Sequence, residues 1–202
     1  MKNLIAIATA ALCASAATAQ DVGQASAGLG ISTYGINLEG AYRIDPSYGV
    51  RGVFISGPSA EYEETDDVGT IEGDAELGGL MIMGDFYPNQ GDWRISGGLF
   101  FSQNEVSASG EIDGDAATAS IKFENEVAPI VTTGYEWGFA DGWSLTPEIG
   151  LIYTGGLAVE YTAENPADQA TIDADPDVQD AIEDGEDIVL LPYLAFTVSY
   201  QF

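Results

Sequence analysis

The chain has 202 residues, is 46% hydrophobic, and carries 33 acidic against 5 basic residues, with no histidine and one cysteine. A formal net charge of −28 excludes nucleic-acid binding, which needs a basic surface. The lack of histidine excludes catalytic dyads, triads and zinc sites that depend on it. Beyond the first twenty residues no apolar run reaches about 18 residues, so a helical membrane span is excluded too.

The first nineteen residues have the layout of a secretory signal. Lys2 supplies the positive start, an apolar run follows from Leu4 to Leu12, and Ala17-Thr18-Ala19 is a small-residue cleavage site. The alternative, a helical membrane anchor, takes about 20 apolar residues, and this run is shorter. The sequence predicts a signal peptide over 1–19 and one mature domain over 20–202.

The only cysteine, Cys13, lies inside this signal. A lipoprotein signal has leucine three residues before its cysteine, and this chain has Ala10 there. The mature chain is therefore predicted to contain neither a disulfide nor a thiolate metal site. Removing Lys2 with the signal leaves 4 basic residues against 33 acidic ones.

Apolar residues in the mature chain recur at every second position, the period of a strand with one apolar face. Seven segments show this pattern, and a single-chain bacterial barrel needs an even number of strands. The glycine-rich segment 22–31 supplies the eighth. In chain order the predicted strands are 22–31, 36–44, 48–54, 80–86, 93–102, 123–139, 143–162 and 188–202. The apolar face of the sixth is predicted to carry Phe123, Val127, Val131, Tyr135, Trp137 and Phe139.

The predicted connections are of two kinds. Turn residues fill the short ones, a reversal at 32–35 and the turns at 45–47, 88–92 and 140–142. The long ones, 58–73, 106–119 and 163–187, are acidic. In the last, Asp175 would cap a short helix that starts at Pro176 and ends near Gly185.

From 45–47 onward, short and long connections alternate along the chain, as in outer-membrane barrels with short periplasmic turns and long external loops. The strand 143–162 also has aromatic residues near both ends of its apolar face, as membrane strands do at the two interfaces. The predicted fold is all-β, a closed antiparallel up-and-down transmembrane barrel of eight strands in the bacterial outer membrane. Eight strands make a barrel narrow enough for side chains to fill.

The last strand resembles the C-terminal signature of outer-membrane barrel proteins, in which alternating apolar and aromatic residues precede a terminal phenylalanine. Here these are Phe196, Val198, Tyr200 and Phe202. The resemblance implies that the barrel-assembly machinery reads this strand. Segments such as Gly40-Ala41-Tyr42-Arg43 and Asp85-Phe86-Tyr87-Pro88 are similar to small OmpA/OmpW-type barrels of Gram-negative bacteria. The chain ends at Phe202, so we expect the barrel without the periplasmic peptidoglycan-binding domain of many OmpA relatives.

Charged residues at the positions opposite the apolar faces should point into the lumen, because charges held away from lipid must pair or meet water. One interpretation is a salt-bridge network that fills a narrow barrel. The alternative is a polar constriction that selects small solutes. The residues predicted to line the lumen are Glu39, Arg43, Arg51, Asp85, Arg94, Glu136 and Glu148.

The predicted external loops concentrate acidic residues. Carboxylate oxygens suit calcium, so divalent cations at these loops are one hypothesis. A solvated, mutually repelling surface is the other. The acids are Glu61, Glu63, Glu64, Asp66 and Asp67 in the first loop and Asp173, Asp175, Asp177 and Asp180 in the last.

These features predict a monomeric, non-enzymatic barrel with a structural or surface role, without cofactor or bound metal. Its partners are outer-membrane lipid and the barrel-assembly machinery, and nucleic acid is excluded. The alternatives are a narrow OmpW-like pore for small or apolar solutes and an acidic cation-binding or adhesive surface protein.

Overall fold

The computed structural model of the protein describes residues 23–57, 60–65, 70–112, 115–163, 165, 169, 172–174 and 176–202. The predicted signal peptide, 1–19, lies outside these residues. The described strands are β1 (Gln24–Ser32), β2 (Gly35–Arg43), β3 (Tyr48–Ser56), β4 (Ala60–Thr65), β5 (Thr70–Glu76), β6 (Gly78–Phe86), β7 (Trp93–Ser102), β8 (Glu105–Ile112), β9 (Asp115–Phe123), β10 (Val127–Tyr135), β11 (Trp137–Ala140), β12 (Trp143–Tyr153), β13 (Leu157–Ala163) and β14 (Leu190–Gln201). The helix α1 spans Pro176–Glu186.

Eight strands close into one antiparallel ring in the order β1-β2-β3-β6-β7-β10-β12-β14. The first and last strands meet at the seam, where Leu29 lies opposite Val198. Strand β11 continues β10 past Glu136 and pairs with β12. The prediction of a closed eight-stranded barrel is confirmed, including the glycine-rich first strand.

The alternation in sequence becomes an alternation in exposure. In β14, for example, Tyr193 and Ala195 are buried inside the barrel, whereas Leu194 and Phe196 are exposed outside it. Aromatic rings cluster at the periplasmic rim, where the ring centroids of Trp143 and Tyr200 are 5.1 Å apart. An exposed apolar band with an aromatic border is the lipid-facing surface of a membrane barrel. No helix in the described part of the chain is long and apolar enough to cross a membrane.

Beyond the barrel, on the external side, a second antiparallel sheet is built in the order β13-β9-β8-β5-β4. The segments 58–73 and 106–119 were predicted as loops, and this prediction was wrong, because they contain strands of this sheet. Their hydrogen-bond ladders prolong the barrel hairpins. Acidic side chains in these segments interrupt the alternation of apolar and polar residues from which strands are predicted. Hydropathy also contains no information about pairing with a neighbouring strand.

The predicted strand 143–162 is two strands, β12 and β13, that pair with different partners. The chain turns between them at Gly155 and Gly156, which have φ values of 80° and 131°, a region that side-chain-bearing residues rarely adopt. The Thr154 hydroxyl donates to the Ile188 carbonyl (3.0 Å). Strand β12 pairs with β14, whereas β13 leaves the barrel and pairs with β9.

The predicted strand 123–139 is divided in the same way, and its outward assignment of Phe123 was wrong. Phe123 ends β9, and three residues without strand structure separate it from β10. This interruption shifts the alternation by one residue, so Phe123 points inward and is 7% exposed. The predicted helix is confirmed as α1, and its predicted cap, Asp175, lies outside the described residues.

Candidate functional site: a closed barrel lumen

The barrel interior holds two layers, one charged and one apolar. The charged layer is contributed by β2, β3, β6, β7 and β12 and by Glu136 between β10 and β11. Five of the seven residues predicted to face the lumen are at most 5% exposed: Glu39, Arg51, Asp85, Arg94 and Glu148. Arg43 and Glu136 are half-buried at the periplasmic end of the lumen.

Arg51 is the centre of the charged layer. Its two terminal nitrogens donate to both oxygens of Glu148, at 2.7 and 2.8 Å. It also contacts Glu39 (3.2 Å) and Asp85 (3.3 Å). A planar guanidinium bound to both carboxylate oxygens has fixed geometry as well as charge complementarity. This pair therefore locks β3 to β12 across the lumen.

Arg94 joins a second set of strands to the same carboxylate. Its Nη2 donates to Glu148 Oε2 (2.8 Å) and its Nη1 donates to Glu136 Oε1 (2.9 Å). The hydroxyl of Thr132 donates to the other Glu148 oxygen. Glu148 is therefore bound by two guanidinium groups and one hydroxyl. Neutralising it would leave two buried cations short of a partner, which is costly in a low-dielectric interior.

Ser96 also takes part in the network. The Ser96 hydroxyl donates to Asp85 (2.5 Å) and accepts from Arg51 Nη2 (3.2 Å). Among buried side-chain atoms of the described residues, the Nε atoms of Arg51 and Arg94 are without a hydrogen-bond partner, as is the amide nitrogen of Asn104. Buried polar groups of this kind are normally satisfied by ordered water.

Arg43 stands apart from the ion pairs. It donates to the backbone carbonyls of Pro46 (2.9 Å) and Gly91 (3.0 Å), and its guanidinium lies 3.7 Å from the centre of the Tyr87 ring. The Tyr87 hydroxyl donates to Glu136 (2.8 Å). Burial, followed by the nearby charge of Glu136, raises the pKa of Tyr87 well above its usual value. Arg43 therefore ties two periplasmic turns together and reaches the network through Tyr87.

A small cavity of about 40 Å³ lies between Arg43, Arg94 and Glu136 at the periplasmic end. A water molecule needs about 10–15 Å³ of such volume, so the space suits about three waters. The charged layer closes the cavity on its external side.

The apolar layer fills the external half of the lumen. Tyr34, Phe100 and Phe123 form a triangle of rings whose centroids are 5.8 to 6.3 Å apart. Burial raises the pKa of Tyr34 to about 12. We call this layer the apolar plug; its other members are Val53, Ile55, Met81, Met83, Ala128, Ile130, Ile152, Tyr193 and Ala195.

The lumen residues chosen from the sequence did not include the apolar plug, although one signal for it was present. Leu99, Phe100 and Phe101 are consecutive, so one of them must face opposite to its neighbours. The outward positions of Leu99 and Phe101 place Phe100 inside. The inward position of Phe123 was not readable in this way, because it follows from the break after β9.

No group of three or more His, Cys, Asp or Glu side chains in the described part of the chain is arranged to hold a metal ion. Several of the loop acids considered for cations, including Asp66, Asp67 and Asp175, lie outside the described residues. The residues of the C-terminal signature, Phe196, Val198 and Tyr200 in β14 and Phe202 directly after it, are all exposed on the outer surface.

Comparison with known protein families identifies the family to which this barrel belongs. Residues 14–183 match the autotransporter beta-domain. The chain belongs to the autotransporter beta-domain family. As a member of that family with a closed barrel, it is a protein of the bacterial outer membrane, as predicted.

Solved structures show the same fold as this autotransporter beta-domain protein. The crystal structure of Acinetobacter baumannii CarO2 has a TM-score of 0.60 at 15% identity, covering 91% of this chain and all of that one. Acinetobacter baumannii CarO has a TM-score of 0.61 at 16% identity, covering 91% of this chain and 98% of that one. At such identities the likeness concerns the fold alone. No curated protein matches the chain.

Proposed function

We propose that the protein is a closed, non-conducting outer-membrane barrel with a structural and surface role. The observation that carries this proposal is the double closure of the lumen. The charged layer around Arg51 and Glu148 crosses the barrel, and the apolar plug fills the half beyond it. A solute would have to break both layers to pass.

The external sheet gives the protein an exposed surface beyond the barrel. It continues the barrel hairpins as a five-stranded antiparallel sheet, with α1 lying against β13. The chain as a whole has a formal net charge of −28, which favours a hydrated surface that repels other acidic surfaces. Under this proposal the barrel is the anchor and the external sheet is the part that meets the surroundings.

The proposal includes no catalytic step. The buried carboxylates of the described lumen, those of Glu39, Asp85 and Glu148, are each held by a guanidinium, and the chain has no histidine to act as a base. The C-terminal signature supports a last strand that the barrel-assembly machinery reads, and the proposed barrel is a monomer.

Planar-bilayer recording of the folded protein tests the proposal. We expect no single-channel steps, because both layers exclude a continuous water path. The Glu148→Gln variant, which loosens the charged layer only, should also be silent because the apolar plug remains. Steps in the unmodified protein that change in size in Glu148→Gln would overturn the closed barrel and favour a narrow pore whose constriction is the charged layer.

A further inference from the structure

The lipid-facing surface carries a shallow groove of about 420 Å³ over β2 and β3. Its floor is formed by Gly40 and Gly52, which lie opposite each other in the ladder. Along the strands, two cross-strand pairs of larger side chains bound it, Tyr42 with Val50 on one side and Leu38 with Phe54 on the other. Across the strands, Ala27 of β1 lies beside Gly40 and Ile82 of β6 lies beside Gly52.

The chain itself does not require glycine at these two positions. A Cβ at position 40 would meet nothing within 4 Å, and one at position 52 would meet only the Met81 carbonyl oxygen, at 4.0 Å. Neither residue has a positive φ. Glycine inside a strand loses backbone entropy and packing, and it often marks a close approach of another molecule.

Membrane lipid can approach this groove directly. Gly40 lies three residues before the periplasmic end of β2, which is about 10 Å along the strand. The groove is thus continuous with the lipid-facing band and lies beneath the periplasmic aromatic rim that includes Tyr42 and Tyr48. The lipids of that half of the bilayer are its direct neighbours.

We propose that the groove binds one acyl chain of a phospholipid of the periplasmic leaflet as a resident lipid. The groove is a slot one side-chain row wide and three strands long, about 14 Å at the usual strand spacing. A slot of this shape fits a narrow, flexible acyl chain. Binding depends on van der Waals contact, because an acyl chain that moves from lipid into the groove gains no hydrophobic driving force.

A second copy of the barrel fits the groove less well. A two-fold dimer whose axis passes through the groove would place the groove of one copy against the same groove of its partner. The two hollows would then face each other and leave a void, whereas an acyl chain fills the slot of a single barrel.

The chain offers a matched control for the experiment. Gly84 and Gly97 form another pair of opposed, outward-facing glycines, and a Cβ at either would meet nothing closer than 3.9 Å. Val50 and Val131 stand beside this pair on the flanking strands, so this hollow is two strands long. The groove is three strands long and ends at Ile82 and at Tyr200, which lies opposite Ala27. Leucine in place of both Gly84 and Gly97 adds the same apolar bulk to the same surface.

Photo-crosslinking in vesicles tests the proposal. The probe is phosphatidylethanolamine with a diazirine on one acyl chain, and crosslinks are located by proteolysis and mass spectrometry. We expect crosslinks concentrated in 36–54 for the unmodified protein, reduced by about threefold or more in Gly40→Leu/Gly52→Leu as packing contacts are lost. The double variant Gly84→Leu/Gly97→Leu should keep the original pattern. Heat-modifiable gel migration checks that both variants fold.

Two results would overturn the resident lipid. One is crosslinking spread over all lipid-facing strands in proportion to their exposure, or unchanged when the groove is filled. The other is a dimer in sedimentation of the detergent-solubilised protein that Gly40→Leu/Gly52→Leu converts to a monomer, which would assign the groove to a second copy. Neither result depends on whether the lumen conducts.

Discussion

At the scale of single residues, the interior depends on a few charges with unequal numbers of partners. The described ion pairs of the lumen join two guanidinium groups, those of Arg51 and Arg94, to four carboxylates. Glu148 is the one carboxylate that binds both. Its removal would therefore take one carboxylate partner from each guanidinium group.

We predict that Glu148→Gln lowers the free energy of unfolding by about 1–3 kcal/mol, because two guanidinium groups lose charge-assisted hydrogen bonds but keep other carboxylate partners. The measurement is urea unfolding in lipid vesicles, followed by tryptophan fluorescence. Glu160→Gln is the control, because Glu160 pairs with Lys122 at a similar distance, 3.0 Å, on the exposed external sheet. Such pairs add little to stability, so equal losses in the two variants would contradict this account of the charged layer.

Tyr34 makes stability depend on alkaline pH. Its pKa is raised from 10.0 to about 12 by burial in the apolar plug, so the folded state holds the phenolic proton more tightly than the unfolded chain does. The stabilisation is complete below pH 10 and is lost as pH rises towards 12. We expect the free energy of unfolding to fall between pH 10 and pH 12 more steeply in the unmodified protein than in Tyr34→Phe. Parallel curves would show that Tyr34 ionises freely in the folded state.

At the level of secondary-structure elements, the architecture depends on the points at which the chain leaves the barrel. The chain leaves the barrel ladder at 103–104 and 154–156 and re-enters it at 124–126. At these points short polar segments interrupt the ladders, and the strands beyond them pair in the external sheet. The barrel and the external sheet therefore share covalent hairpins but have separate hydrogen-bond ladders.

The turn at Gly155 should control the external sheet without controlling the barrel. Gly155 has a φ of 80°, and an added Cβ would collide with the side-chain amide of Asn125. We expect Gly155→Ala to cost about 1–3 kcal/mol locally and to displace β13. Limited proteolysis should then cut the external sheet faster, while heat-modifiable migration still reports a closed barrel.

The control for this experiment is Gly97→Ala, in a strand of the barrel where a Cβ would meet nothing within 4 Å. It should leave the rate of cleavage unchanged. Loss of the folded band in Gly155→Ala would instead show that the barrel and the external sheet form one cooperative unit.

At the scale of the whole molecule, the charge distribution opposes compactness outside the membrane. The chain carries 33 acidic residues. The carboxylates of the described lumen are paired with arginine. In the external sheet, the basic residue Lys122 pairs with Glu160. Exposed charges repel over the Debye length, which is about 30 Å at 0.01 M salt and 8 Å at 0.15 M. Buried pairs are screened much less.

We therefore expect the urea midpoint of unfolding to rise when sodium chloride is raised from about 0.01 M to 0.15 M, because screening relieves the external repulsion. Glu148→Gln should keep the same salt dependence, since its charge is buried. Calcium chloride at matched ionic strength separates screening from binding, and a much larger rise with calcium would favour a cation site in the external loops. A midpoint that falls with salt would contradict the repulsion.

Local sequence patterns were enough to predict the barrel. A period of two places one side of each strand in lipid and the other in the lumen, so seven strands and the inward charges such as Arg51 and Glu148 were readable from local order. The even strand number of bacterial barrels supplied the eighth strand and closure. The helix over Pro176–Glu186 was readable as well, because its proline and its terminal glycine act within a few residues. These signals are local, and local physics suffices for them.

The external sheet, the apolar plug and the choice of ion-pair partners depend instead on contacts between segments that are distant in sequence. Strands β4, β5, β8 and β9 exist because the barrel hairpins carry their ladders outward, which is a contact between distant segments. Phe123 points inward because a break in the ladder shifts the alternation by one residue. That Glu148 binds both Arg51 and Arg94 follows from how strands far apart in sequence meet across the closed ring, and no pattern along the chain records those distances.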